Sequence, residues 1–263
     1  MTRPIALLTD FGNHDHFVGS LKGVILSIHP RTVIFDITHE VRPQNIWDGA
    51  FVLDSVYPYV PKGTIFVAVI DPGVGSARHA LCVKTNHAYL IAPDNGVLSM
   101  VLRNERNYEI RAIENERYFL KPVSNTFHGR DIFSPVAAHL SQKDIFGQLG
   151  RKINHLHLLD IPKATQKAKM VTGKILYLDR FGNAMTNIPK SLLGPALRFL
   201  RSQIQVKGKI KARPKTLFCE GNIGELIGLW NSINLLELAV RNGSAEREFG
   251  LQVGDSVKIL LVE

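Results

Sequence analysis

Cysteine and long apolar runs are both scarce in this chain of 263 residues. The two cysteines, Cys82 and Cys219, lie far apart in apolar runs, which excludes a CxxC pair and a disulfide framework and predicts buried thiols in a reducing compartment. No stretch approaches the roughly 20 apolar residues of a membrane helix. The start of the chain also lacks the apolar core and cleavage site of a signal peptide. We therefore expect a soluble cytoplasmic protein.

Acidic residues are outnumbered, 23 against 32 Lys and Arg, which gives a formal net charge of +9. Part of this excess is local, because residues 198–215 contain seven basic residues and no acidic one. On a strand, alternating basic residues would share one face. Aromatic residues are not interleaved with these charges, so the pattern favours a solvated strand face over a nucleic-acid site. The alternating basic residues are Lys207, Lys209, Lys211, Arg213 and Lys215.

The first part of the chain alternates strand and helix signals, with helical spacing over Phe17–Ile28 and Ile46–Val56. Near-continuous apolar strands between amphipathic helices predict a mostly parallel α/β sandwich domain over residues 1–145. Residues 146–168 are polar and weakly patterned, and we interpret them as a linker. From residue 169 onwards, short strands separated by Gly and Asn turns predict a small antiparallel β-barrel domain over 169–263.

Three polar clusters follow predicted strands or open a helix. They are Thr9–Asp15 after the first strand, Asp71–Arg78 after the third, and Asn125–Asp131 before a helix. One such cluster is most often a turn or a cap. In a parallel α/β sheet, however, ligands bind at the carboxyl ends of the strands. Three clusters at matched ends therefore predict a binding site.

These clusters, taken with motifs in the second half, resemble the S-adenosylmethionine (SAM) hydroxide adenosyltransferase family, the SAM hydrolases related to fluorinase and chlorinase. The resemblance spans nearly the whole chain in the same order. Its motifs are Thr9-Asp10-Phe11-Gly12 with Asp15, Asp36-Ile37-Thr38-His39, Asp71-Pro72-Gly73-Val74-Gly75-Ser76 with Arg78, Pro93-Asp94-Asn95-Gly96, Phe127-His128-Gly129-Arg130-Asp131, Asp179-Arg180-Phe181-Gly182-Asn183, Thr186-Asn187, and Asn231-Ser232 followed by Leu236-Glu237-Leu238-Ala239.

The resemblance implies a hydrolase that cleaves SAM with water at C5′ to adenosine and L-methionine, without a cofactor. It also implies a homotrimer, with SAM bound between the N-terminal domain of one subunit and the C-terminal domain of its neighbour. The implied water-activating residues are Asp71, Arg78 and His128. Asn234 stands where a Gly is expected. The implied substrate contacts are Asp10 for the ribose hydroxyls, Asp15 and Ser232 for the methionine end, Phe181 and Asn183 for adenine, and Glu237 and Ala239.

This chemistry suits these residue types. Methionine leaves the sulfonium as a neutral thioether, so no general acid is needed, and positioning one water in line with the C5′–S bond contributes roughly 7–11 kcal/mol. We expect Asp71 and a neutral His128 to accept hydrogen bonds from that water while Arg78 fixes Asp71.

Three rival interpretations stay open. A related halogenase would carry a Tyr-Pro-x-Thr turn in place of Asp71-Pro72-Gly73-Val74, and a carboxylate there would repel a halide. A metallohydrolase would use His14 and His16 with Asp10, Asp71 and His128, although no HExxH or Cys/His framework is present. A non-enzymatic SAM- or adenosine-binding protein would share the pocket and show no turnover.

Overall fold

A computed structural model describes residues 2–194 and 196–262. Its contacts divide the chain into two compact units, of which the first ends at Leu159 and the second begins at Asp160. Within the two described ranges, every helix is too short or too polar to traverse a lipid bilayer.

The first unit is built on a seven-stranded sheet in the order β2-β1-β3-β5-β4-β6-β7. The pairs β1–β2, β1–β3 and β3–β5 are parallel, and the remaining three pairs are antiparallel. The α/β architecture predicted from the sequence is confirmed. Its strands are β1 (Ile5–Thr9), β2 (Ile34–Thr38), β3 (Ile65–Val69), β4 (Ala80–Thr85), β5 (Tyr89–Pro93), β6 (Tyr108–Ala112) and β7 (Lys152–Ile153).

Helices cover both faces of this sheet, because successive side chains of the central strands point alternately into two hydrophobic cores. Ile5 and Leu7 of β1 belong to one core, and Ala6 and Leu8 belong to the other. On the first face α1 packs against α4, and on the second α2 packs against α3. The helices are α1 (Phe17–Ile28), α2 (Ile46–Val56), α3 (Ser99–Asn104) and α4 (Ser134–Gln142).

The second unit is a closed barrel in which β9, β10, β14, β13, β12, β11 and β15 form a ring that returns to β9. Strand β8 extends the sheet beside the first half of β9. All pairs are antiparallel except β12–β13. The elements are β8 (Thr165–Lys167), β9 (Met170–Leu178), β10 (Ala184–Pro189), α5 (Ala196–Leu200), β11 (Gln203–Val206), β12 (Ile210–Pro214), β13 (Leu226–Trp230), β14 (Leu235–Val240), α6 (Ala245–Phe249) and β15 (Ser256–Leu260).

Two local predictions are wrong. The basic segment is a hairpin rather than one strand, so Lys207 and Lys209 lie in its turn while Lys211 and Arg213 lie on β12. Lys207 takes a φ of 53°, which reverses the chain direction and breaks the shared basic face. Cys82 is buried as expected, but Cys219 is exposed in a short 3₁₀ turn. The segment 146–168 contains both β7 and β8.

Candidate active site

The edge formed by the ends of β1 and β3 carries two carboxylates. Thr9, the last residue of β1, lies opposite Val69, the last residue of β3. Asp10 and Asp71 therefore leave neighbouring parallel strands on the same side of the sheet, where α/β folds bind ligands. The charge of Asp71 is close enough to Asp10 to contribute to raising the Asp10 pKa.

Asp71, Arg78 and His128 form one hydrogen-bonded group. Arg78 Nε donates to Asp71 Oδ1 at 2.8 Å, and Arg78 Nη2 donates to Asp71 Oδ2. The same Nη2 lies 3.0 Å from His128 Nδ1. Both members of the ion pair are nearly buried, with 9% of the Arg78 side chain and 5% of the Asp71 side chain exposed. A bidentate pair of this kind fixes the orientation of the carboxylate.

The contact with Arg78 determines the tautomer of His128. A guanidinium only donates hydrogen bonds, so Nδ1 of His128 is the acceptor and the proton of the neutral ring lies on Nε2. Burial lowers the pKa of His128, and the Arg78 charge lowers it further, so the ring is neutral at pH 7. The expectation that His128 accepts a hydrogen bond from the water is therefore wrong. Its free Nε2–H is a donor, because Arg78 already occupies the acceptor nitrogen.

Two loops hold this group in place. Gly75, in the loop after β3, has a φ of +79°, and a Cβ at this position would collide with the carbonyl oxygen of Asn125. Asp131 is fully buried and accepts from the Ser124 backbone N–H at 2.8 Å, which ties the loop before His128 to the start of the helix. A π-helical turn over Gly129–Phe133 then leads into α4.

Asp10 is partly buried beside this group, whereas Asp15 is exposed. Asp10 Oδ2 accepts a hydrogen bond from the Gln44 backbone N–H at 2.7 Å. Burial raises the pKa of Asp10, the nearby Asp71 charge acts in the same direction, and the Gln44 N–H opposes both. Asp15 lies in the exposed segment between β1 and α1, where its carboxylate faces solvent.

An apolar cavity of about 190 Å³ lies beside the Asp71–Arg78–His128 group. Three aromatic rings of its wall are in mutual contact, since the centroids of Phe11, Phe17 and Phe127 are 5.4–5.9 Å apart. Asp71 and His128 supply polar groups to the same wall. The cavity therefore offers a small apolar space in which a carboxylate and an imidazole meet an aromatic surface.

The second unit has a separate cavity of about 890 Å³, which Phe181, Asn183 and Glu237 line together. The turn that presents Phe181 is built by Asp179, whose Oδ1 accepts from the backbone N–H groups of Phe181 and Asn183, both at 2.9 Å. Gly182, at a φ of +80°, packs so closely on Ser244 that a Cβ would collide with its hydroxyl. Phe181 is consequently held outward, with 74% of its surface exposed.

Glu237 is a buried acid on the outer face of the barrel wall. On β14, Leu236 and Leu238 point into the barrel core, while Glu237 and Ala239 point to the opposite side, and both are buried. Burial raises the pKa of Glu237 to about 7, and the charge of Asp179 adds to the effect. Glu237 therefore exchanges its proton near neutral pH.

Ser232 lies exposed in the turn between β13 and β14. The Asn231 side chain organises this turn, because its Oδ1 accepts from the backbone of Ile233 at 3.1 Å and of Leu235 at 2.9 Å. Asn234 adopts a φ of 60°. Asparagine is one of the few residues that tolerates this left-handed conformation, so Asn234 supports the turn in place of a glycine.

The metallohydrolase hypothesis gains no ligand cluster from the structure. Across residues 2–194 and 196–262, no group of three or more His, Cys, Asp or Glu side chains is arranged to hold a metal ion. His14 and His16 are exposed, and His128 is engaged by Arg78.

Sequence reasoning assigned no role to Asp179, Phe218 or Arg241, which line the same cavity as Phe181. The signal for Asp179 was present, because an Asp followed by Gly and Asn residues commonly caps a turn through its carboxylate. Phe218 and Arg241 lie far apart in the sequence. Their convergence depends on the pairing of β13 with β14 and on the hydrogen bond from Arg241 Nη1 to the Cys219 carbonyl at 3.1 Å, which no local signal reveals.

Comparison with known proteins gives a consistent result. The model of the SAM hydroxide adenosyltransferase N-terminal domain matches residues 5–150, and that of the C-terminal domain matches residues 173–258. An (R)-S-adenosyl-L-methionine hydrolase from Thermus thermophilus is 32% identical, covering 98% of this chain and 100% of that protein. A fluorinase from Actinoplanes is 25% identical, covering 97% and 96%. A crystal structure of an uncharacterized conserved protein from Thermotoga maritima superposes with a TM-score of 0.92 at 39% identity, covering 97% and 99%.

Proposed function

The chain belongs to the SAM hydroxide adenosyltransferase family, and from this premise we propose that it hydrolyses SAM at C5′ to adenosine and L-methionine, with Asp71, Arg78 and His128 holding the attacking water. The observation that carries the assignment is the buried Asp71–Arg78–His128 group beside the aromatic cavity. A carboxylate and an N–H donor converge there, which suits a water molecule, and the negative charge of the carboxylate repels a halide.

In the proposed step, the water oxygen forms a bond to C5′ while the C5′–S bond breaks and its electron pair goes to sulfur. The Asp71 carboxylate accepts the proton that the water loses, and the product is the 5′-hydroxyl of adenosine. His128 donates its Nε2–H to a lone pair of the water and so fixes the direction of attack. Arg78 holds both groups through its bidentate bond to Asp71 and its contact with Nδ1. Positioning of this kind contributes roughly 7–11 kcal/mol.

The remaining contacts are proposals from the resemblance. Asp10 binds the ribose hydroxyls, since one carboxylate accepts from two vicinal donors. Phe181 and Asn183 bind adenine beside Glu237 and Ala239, while Asp15 and Ser232 bind the methionine end. We propose that the protein is a homotrimer in which neighbouring subunits complete each site. The outward Phe181, 74% exposed, supports a role at such an interface.

We further propose that SAM is the substrate, that no cofactor is used, and that the protein is cytoplasmic. The two free thiols fit a reducing compartment. Fractionation of cells that express the natural protein tests the location.

The deciding experiment incubates the purified protein with each sulfonium epimer of SAM in oxygen-18 water and separates the products by chromatography. We expect equal amounts of adenosine and methionine, with the label in adenosine. Adenine, methylthioadenosine or S-adenosylhomocysteine as the product would contradict attack at C5′. Binding of adenosine without turnover of either epimer would instead indicate a non-enzymatic binding protein.

Three further measurements test the halogenase hypothesis, the metallohydrolase hypothesis and the assembly. Addition of fluoride or chloride to the same assay should give no halogenated nucleoside, and treatment with a chelator should leave the rate unchanged. Light scattering should give about three times the 29.3 kDa mass of the chain. A fully active monomer would contradict the shared site.

A further inference from the structure

A continuous series of polar contacts runs behind the Asp10 carboxylate and takes no direct part in the proposed reaction. Lys22 Nζ on α1 bonds to Asp36 Oδ2 on β2 at 2.6 Å. The other oxygen, Asp36 Oδ1, lies 3.1 Å from His39 Nε2. His39 Nδ1 in turn lies 2.8 Å from the hydroxyl of Thr9, the residue directly before Asp10. The series thus connects α1 and β2 to the end of β1.

The direction of the hydrogen bonds follows from the chemistry of the groups. The Asp36 carboxylate cannot donate, so its 3.1 Å contact with His39 Nε2, which lies outside hydrogen-bond geometry, is an electrostatic one that favours a proton on Nε2. Nδ1 is then the acceptor, and the Thr9 hydroxyl donates to it. The same hydroxyl accepts from the Phe11 backbone N–H at 3.3 Å. The Thr9 hydroxyl thus lies between His39 Nδ1 and the Phe11 N–H, which favours a single orientation of its side chain.

Burial strengthens the argument for the contact between Thr9 and His39, the inner end of the series. Thr9 is fully buried, and 1% of the His39 side chain is exposed. Hydrogen bonds in such surroundings are not replaced by water when one partner is removed, so the remaining group is left unsatisfied. Surface contacts of the same length would not have this consequence.

Three further hydrogen bonds from backbone N–H groups join the same segments, one of them from the Val41 N–H to the Thr9 carbonyl at 3.4 Å. The Gly12 N–H donates to the His39 carbonyl at 2.7 Å, and the Gln44 N–H donates to Asp10 Oδ2 at 2.7 Å. Asp10 therefore lies between a residue fixed by His39 on one side and a backbone donor from the 39–44 segment on the other. Within residues 2–194 and 196–262, the Asp10 carboxylate is connected to the sheet only through these two segments and through β1 itself.

We propose that the series Lys22–Asp36–His39–Thr9 positions the Asp10 carboxylate for the ribose, with Thr9 and His39 as positioning residues. The inference rests on the proposed function, in which Asp10 binds the nucleoside. Loss of the Thr9 hydroxyl removes the side-chain contact between the end of β1 and His39 and lets the Asp10 carboxylate shift, while the Asp71–Arg78–His128 group keeps its own contacts. The effect therefore falls on nucleoside binding rather than on the chemical step.

The test compares Thr9→Val, which removes the hydroxyl at nearly constant shape, with Thr9→Ser, which retains it. Thr9→Val should raise the Kd for adenosine and the KM for SAM roughly 3- to 10-fold, as for one buried hydrogen bond. Its kcat should stay within about twofold of wild type, and Thr9→Ser should restore both constants. His39→Asn retains an acceptor near the Nδ1 position and should fall between the two.

Thr85→Val is the matched control, because Thr85 is also a buried threonine whose hydroxyl bonds to a turn, at the end of β4. It should lower Tm without changing either constant. If Thr9→Val behaves in the same way, or lowers kcat at unchanged adenosine affinity, the positioning role is refuted. Absence of turnover in the wild-type protein would refute the proposed function instead, and the adenosine Kd values, measured by calorimetry, would still decide this inference.

Discussion

Replacement of Asp71 by Asn separates catalysis from binding most clearly. The amide keeps the size of the carboxylate but loses its charge and replaces one oxygen with a donor. Because both oxygens of Asp71 bond to Arg78, this donor faces the guanidinium, and a nearly buried Arg78 loses one partner. The water also loses the group that accepts its proton. We expect kcat to fall about 100- to 10,000-fold, the usual contribution of a general base.

That range corresponds to about 2.7–5.4 kcal/mol of activation free energy. Adenosine affinity should stay near wild type or improve slightly, because the Asp71 charge that acts on Asp10 is gone. Chromatographic assays of SAM turnover and calorimetry with adenosine measure the two effects. Asp144→Asn is the control, since Asp144 is an ion-paired aspartate of the same unit outside the site. In combination with His128→Ala, Asp71→Asn should cost much less than the sum of the two single effects. Normal turnover by Asp71→Asn, or equal losses in kcat and affinity, would refute the assigned role.

Three further predictions follow from single contacts. Protonation of His128 would turn its Nδ1 from an acceptor into a donor that faces Arg78. Because the pKa of His128 is lowered, kcat should decline only when the pH falls below the ordinary value of 6.5. A decline of kcat that begins above pH 6.5 would contradict the assigned tautomer. Gly75→Ala should lower the free energy of unfolding by roughly 1–3 kcal/mol and also reduce kcat, because φ is positive and the added Cβ would collide with the Asn125 carbonyl. Chemical unfolding and turnover assays measure the two effects. Gly147→Ala is the control and should change neither stability nor kcat, because the space around Gly147 is open. Between pH 4.5, its ordinary pKa, and about 7, Glu237 holds its proton in the folded state but loses it on unfolding. The free energy of unfolding should therefore decrease as the pH rises through this window. In denaturant titrations at several pH values, Glu237→Gln should reduce this dependence of stability on pH, and an unchanged dependence would show that another group is responsible.

The elements that could be predicted from the sequence are those in which the spacing of apolar residues within the element itself determines the secondary structure. The bounds of α1 and α2 are Phe17–Ile28 and Ile46–Val56, as the apolar spacing predicted. The hairpin in the basic segment was missed because Lys207 adopts a positive φ that the alternation of charges does not reveal. A Lys-Gly pair between two apolar runs was the available signal.

The same division holds for the candidate site. Strand-end position predicted that the clusters Asp71–Arg78 and Asn125–Asp131 would contribute to one site, whereas the choice of Asp71, Arg78 and His128 within them came from the family resemblance. The direction of a hydrogen bond was not predictable, since the role of His128 depends on which nitrogen Arg78 contacts. The outward hold on Phe181 likewise depends on Ser244, a residue 63 positions away that packs on the neighbouring Gly182.

The π-helical turn over Gly129–Phe133 makes the direction of His128 depend on the number of residues before α4. In an α-helix each residue advances the chain by about 100° and 1.5 Å. Val136 and Leu140 anchor α4 in the core, so removal of one residue from the turn would swing everything before it around the helix axis. The imidazole would then leave Arg78 even though no residue of the site had been substituted. This part of the molecule is thus more sensitive to insertion or deletion than to replacement. Chains that differ in length here would differ in the direction from which the His128 imidazole contacts the water.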